Sequence, residues 1–139
     1  MAAVQTLKEF CLSIGHDDEE FLAEIDKEEY VSVTISDREI ILTAEEDQSI
    51  RVKAALGFVN FNQPNALDIL KIILEGNFEF SGTRGGTLGV NSNTGEVCFF
   101  YQFQCQEVSQ AALQQLLVEF AEVGKVWSEA LISFGQGAA

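Results

Sequence analysis

A single histidine, three cysteines, one acidic run and one glycine-rich corner are where this chain of 139 residues could place chemistry. A nucleophile–base pair would have to be built around His16, which stands in a loop beside four acids, so a surface histidine is the simpler reading. Cys11, Cys98 and Cys105 are odd in number and lack CxxC spacing, which argues against a disulfide framework. Cys98 and Cys105 fall at odd separation on one predicted strand. They therefore point to opposite faces and cannot share a metal. The run Asp17-Asp18-Glu19-Glu20 lacks the alternating oxygen ligands and glycine of a calcium loop. It reads as a solvated face, with contact to a basic partner as the functional alternative. Thr83-Arg84-Gly85-Gly86-Thr87 leads into a strand, so no helix N-terminus presents amides to a phosphate, and a turn is expected. No catalytic residue, cofactor or metal site is expected, and the chain does not read as an enzyme.

What positions these residues has to be a folded domain. Nearly half of the chain is hydrophobic, with eleven Phe, against a net charge of −14. That much apolar content excludes a disordered acidic tail. The acidic balance disfavours nucleic acid and anionic membranes, because phosphate binding rests on Lys and Arg. It suits a basic or amphipathic partner. No apolar run approaches the ~20 residues of a membrane span. The N-terminus lacks the basic-then-apolar order of a secretion signal. One cytoplasmic domain over residues 1–139 is expected.

Val4, Leu7, Cys11 and Ile14 recur at helical spacing and predict a helix over 2–14, stopped at Gly15. Residues 16–29 read as a loop or a ragged strand holding Phe21, Leu22 and Ile25. Alternation then predicts three antiparallel strands, the first through Val31, Val33 and Ile35, the second over 39–44 and the third from Ile50 to Phe58. Ser36-Asp37-Arg38 is the first turn. The alternation leaves one wet face, so the sheet is a single layer covered on one side.

The next helix, ending at Gly76-Asn77, carries two apolar lines where a helix on a sheet needs one. Ala66, Ile69 and Ile73 form the first, and Leu67, Leu70 and Leu74 the second. Exposed, the surplus would be an unusual patch. A second subunit covering it is the favoured reading, with Leu67, Leu70, Ile73 and Leu74 in the interface beside Leu88 and Val90. A hairpin turning at Asn91–Gly95 follows. Ser109 caps a last helix whose apolar line runs from Leu113 past Trp127 to Phe134. The tail 135–139 is expected to fray. The order is α-β-β-β-α-β-β-α: an α+β fold with one twisted antiparallel sheet and helices packed on it, forming a homodimer.

Leu74-Glu75-Gly76-Asn77, Gly82-Thr83-Arg84-Gly85-Gly86-Thr87-Leu88, Asn93-Thr94-Gly95-Glu96-Val97 and the closing helix through Leu116, Phe120, Trp127 and Leu131 come in an order that resembles the class I type III secretion chaperones (the CesT/SycE, or Tir-chaperone, family). The resemblance is close over 65–131. It implies a small acidic homodimer in the bacterial cytoplasm that binds the N-terminal segment of one or more secreted effectors in extended form, and that meets the secretion ATPase through the effector complex. No cofactor, nucleic acid or membrane is implied. An extended segment lays apolar anchors into pockets and adds backbone hydrogen bonds. The effector contacts expected on this basis are Leu7, Phe10, Ile14, Phe100 and Gln102, on the outer side of the first helix and the hairpin strand. Val33 and Ile41 form a second patch. The rival readings are a dimeric regulatory module of related fold acting on another cytosolic protein, and a small-ligand carrier using the apolar space under the last helix.

Overall fold

Alternation decides which side chains turn inward, and in the computed structural model, which describes residues 2–134, it does so on five strands. These are β1 (Tyr30–Ile35), β2 (Arg38–Ala44), β3 (Ser49–Phe58), β4 (Thr87–Val90) and β5 (Glu96–Gln104). They form one antiparallel sheet in the order β1-β2-β3-β5-β4. The helices are α1 (Ala2–Ser13), α2 (Glu19–Glu28), α3 (Ala66–Asn77) and α4 (Gln110–Ser133). The tail expected to fray lies outside the described residues.

The turns follow local chemistry. Ser36 and Asp37 both take positive φ, the geometry of a two-residue hairpin turn whose twist matches the strands. Gly95 is left-handed (φ +79°), and a Cβ there would strike the Val59 carbonyl. That close approach lets Val59 N–H donate to the Gly95 carbonyl at 2.7 Å, tying the hairpin to the end of β3.

Residues 16–29 depart from expectation: most of them are α2. Asp18 caps it, its carboxylate accepting from the Glu20 amide at 2.8 Å, and Glu19 and Glu20 sit in the first turn. Acids there face the positive end of the helix dipole, so the run that looked like a solvated loop is a helix start. Ile25, 1% exposed, is its one fully buried anchor, and a stripe that narrow is hard to tell from a strand by period alone.

The covered face of the sheet carries Val31, Val33, Ile40, Leu42, Ile50, Val52, Ala54, Phe99 and Phe103, all buried, with α1 and α4 packed over it. Phe120 of α4 stacks on Phe99 with ring centroids 4.6 Å apart. Ser128 donates to the Leu56 carbonyl at 2.8 Å, fixing the far end of α4 to β3.

Candidate functional site

Two surfaces stand out, and a small assembly fixes the end of α3 beside them. Trp127 lays its ring over Gly76 and Gly82, where an added Cβ would meet the indole, and its Nε1 donates to the Gly82 carbonyl at 2.8 Å. This holds the end of α3 and the glycine-rich corner against α4. Asn77 then reaches β4: its Nδ2 donates to the Leu88 carbonyl at 2.9 Å, and its Oδ1 accepts from the Leu88 amide at 2.8 Å. A side chain thus takes the place of a neighbouring strand at the middle of the edge strand β4. It blunts an edge that would otherwise invite pairing.

The first surface is the outward line of α3. Leu67 and Leu74 are 62% and 68% exposed, Leu70 is half-buried between them, and Phe78 beyond the helix end is 69% exposed. Phe80 stands nearby, also exposed, in a segment where Glu79 and Phe80 both hold positive φ. Such backbone costs energy and is kept where something else requires it. Of the residues expected in a dimer interface, Leu67, Leu70 and Leu74 lie on this line. Ile73 and Leu88, each 4% exposed, belong to the core, because i+3/i+4 geometry turns Ile73 with Ala66 and Ile69 toward the sheet and Leu88 lies on its covered face. Val90 is half-buried at the end of β4. Phe78 and Phe80 were missed, although Phe78 continues the spacing of Leu67, Leu70 and Leu74.

The second surface is the other face of the sheet. Ser32, Ile41, Lys53, Phe100 and Thr87 stand in one cross-strand row, and Arg51 pairs with Gln102 in the next. Ile41, Lys53, Ala55 and Phe100 are half-buried, while Arg51 and Gln102 are exposed. Hollows flank the row: one beside Ile41, Lys53 and Ala55, one at Gly89, Val90 and Cys98, and one between Arg51, Phe80 and Gly85. Phe100 borders the last two. Lys53 makes no ion pair among the described residues, and Arg51 meets Glu45 at 3.3 Å. Gln102 is held in place, its Nε2 donating to Ser49 Oγ at 2.7 Å while that hydroxyl donates to the Asp47 carboxylate. The Ser49 hydroxyl and amide together hold the Asp47 carboxyl below the usual carboxylate range.

Ile41, Phe100 and Gln102 are therefore gathered on one open face. Leu7 and Phe10 are 0% and 1% exposed and Val33 is 4% exposed: they face inward, on α1 and the covered side of β1, and not outward as expected. The widened apolar stripe of α1 left the choice of face ambiguous, and packing against α4 settled it. Ile14 is half-buried just past α1.

The residues considered for chemistry are dispersed. His16 is exposed, its ring 5.5 Å from that of Phe21. All three cysteines are buried and free. Burial pushes the Cys11 thiol up to about 11; burial, then the Glu96 carboxylate that the thiol faces, does the same for Cys98. Both thiols stay protonated at neutral pH. Among the described residues no three His, Cys, Asp or Glu side chains are grouped to hold a metal, and no helix is long and apolar enough to cross a membrane.

The fold is shared with several solved structures at low identity. A chain of the ExsC–ExsE complex is 16% identical with a TM-score of 0.69, the match covering 91% of this chain and 90% of that one. A chain of the HopA1–SchA chaperone–effector complex is 14% identical with a TM-score of 0.65, covering 90% and 91%. YbjN from E. coli, named as a candidate transcription regulator, is 9% identical with a TM-score of 0.58, covering 88% and 96%. No curated protein sequence matches. The model of one family, the Tir chaperone protein (CesT) family, does match, over residues 5–127, and the chain belongs to that family.

Proposed function

We propose that the chain is a cytoplasmic type III secretion chaperone that works as a homodimer and holds the N-terminal segment of a secreted effector in extended form. Membership of the Tir chaperone protein family carries this reading. The open sheet face supports it physically: a row of half-buried side chains flanked by hollows suits a chain whose anchors recur along an extended backbone. An extended segment bound there cannot fold on itself, and its ordering consumes part of the binding energy. Dimerisation uses the α3 line, where burying each Leu or Phe contributes about 1.5–3 kcal/mol. Asn77 shapes that dimer. With the Leu88 backbone already paired, the subunits meet through side chains of α3 and the Phe78–Phe80 turn, not through continuous strand pairing at Leu88.

Light scattering tests the dimer. A monomer at micromolar concentration sinks it, and a dimer unaltered by Leu70→Asp removes α3 from the interface. Co-purification from the native bacterium tests the chaperone. The expected catch is a secreted protein held through its N-terminal segment and lost from Phe100→Ala. Recovery of a DNA-bound or folded cytosolic partner alone would instead favour a regulator, the reading that the similarity to YbjN keeps open.

A further inference from the structure

A segment that lies on the face of a sheet, rather than along its edge, gains no ladder hydrogen bonds. Each of its peptide groups that is covered there must find a side-chain partner or stay unpaired at a cost. The open face offers such partners beside Phe100. A hollow of about 540 Å³ has Arg51, Thr87 and Gln102 as its polar side chains, with Phe80, Gly85, Phe100 and Tyr101 around them. Arg51 and Gln102 are direct cross-strand neighbours, and both are exposed.

The hydrogen bonds beneath Gln102 decide which way its amide is turned. The ionised Asp47 carboxylate can only accept, and it takes both the amide and the hydroxyl hydrogen of Ser49. Ser49, 1% exposed, has thereby committed its one hydroxyl hydrogen, and its oxygen can only accept from Gln102. Gln102 must therefore present Nε2 to Ser49, which it does at 2.7 Å. Its Oε1 is left with no hydrogen-bond partner among the described residues. The outcome is an unpaired carbonyl oxygen on an exposed side chain whose other arm is held. Across the strands, Glu45 meets Nη1 of Arg51 at 3.3 Å, and the guanidinium keeps further N–H donors.

We infer that Arg51 and Gln102 hold one peptide group of the extended partner segment, next to the apolar anchor seated at Phe100. Gln102 Oε1 accepts its N–H, and Arg51 donates to its carbonyl. An acceptor alone would serve many donors. An acceptor beside a cationic donor matches a peptide group, which carries one of each. Recognition at this point then reads backbone and not a particular side chain, so segments of different sequence fit as long as an apolar residue reaches Phe100. The assignment rests on the chaperone reading for the source of the segment, but not for the contact itself.

N-methyl-3-phenylpropanamide, a ring joined to a single peptide group, and its N,N-dimethyl analogue, which lacks the N–H, test the contact. Titrated into the whole protein and followed by amide NMR, both are expected to shift residues 51, 85–87 and 100–102. The N-methyl compound should bind about fivefold tighter, the worth of one hydrogen bond. Gln102→Leu should erase that preference while affinity for the dimethyl compound holds, and Gln102→Glu, which keeps an acceptor, should restore it. Arg51→Met should weaken both compounds alike, since both carry the carbonyl. Equal affinities in the wild type overturn the inference, as does a preference that survives Gln102→Leu, or shifts that fall elsewhere or not at all. The same variants separate this inference from the reading beneath it. A secreted partner captured equally by the wild type and Gln102→Leu overturns only the contact. A discriminating contact in a protein that captures no secreted partner upholds the contact and removes the chaperone.

Discussion

The two faces of the sheet are made by alternate residues of the same strands, yet they serve opposite ends. Phe99 and Phe100 are neighbours on β5; Phe99 is 1% exposed and stacked on Phe120, while Phe100 is half-buried between two hollows. On the covered face, apolar side chains repeat across β1, β2, β3 and β5, with Arg38 at its end against Gly124 of α4. On the open face, Ile41 and Phe100 are separated by Lys53, and Gln102 lies beside Arg51. A face this apolar must be buried by the chain itself. A face of apolar residues set among cations and amides stays soluble while empty and still rewards a partner.

Paired substitutions would break or sharpen this contrast. Phe99→Ala should cost about 3–5 kcal/mol in chemical denaturation, the usual range for a large ring removed from a core. Phe100→Ala should cost less than about 1.5 kcal/mol, yet weaken capture of the partner about tenfold or more, as for a contact at the centre of an interface. Equal stability losses would mean that the two faces are not distinct.

Asn77→Ala should cost about 1–3 kcal/mol, because it orphans the amide and carbonyl of Leu88. Amide exchange at Leu88 should accelerate while that of Phe99 is retained. Unchanged exchange at Leu88 would show that the edge of β4 is protected by something else.

The smallest effect belongs to Asp47. Its carboxyl pKa is lowered in the folded protein by the Ser49 hydrogen bonds, so its contribution is present above the unfolded value near 3.9 and is lost as pH falls through the folded one. Asp47→Asn should therefore leave a melting temperature that depends less on pH in the acid range. An unaltered acid profile would detach this turn from the positioning of Gln102.

The order of elements was legible because its signals are local. Period-two alternation marked β1 and β3, Ser109 marked the start of α4, and Gly76-Asn77 marked the end of α3. Helix α2 was missed because an acidic run is equally at home in a solvated loop and in the first turn of a helix. Only burial of Ile25 separates the two. The candidate sites were legible in part. Leu67, Leu70 and Leu74 could be found by counting along one helix. Leu7 and Phe10 could not be oriented, since α1 is apolar over more than one face and the choice depends on what packs against it.

The amino-acid sequence by itself determined an acidic α+β chain with a surplus apolar line on α3, because charge, alternation and helical spacing are properties of neighbours along the chain. Tertiary structure alone decided which face of the sheet stays open, that Asn77 takes a strand's place beside Leu88, and that Trp127 closes over Gly76 and Gly82. Each of those depends on groups distant along the chain meeting in space, and no periodicity encodes such a meeting.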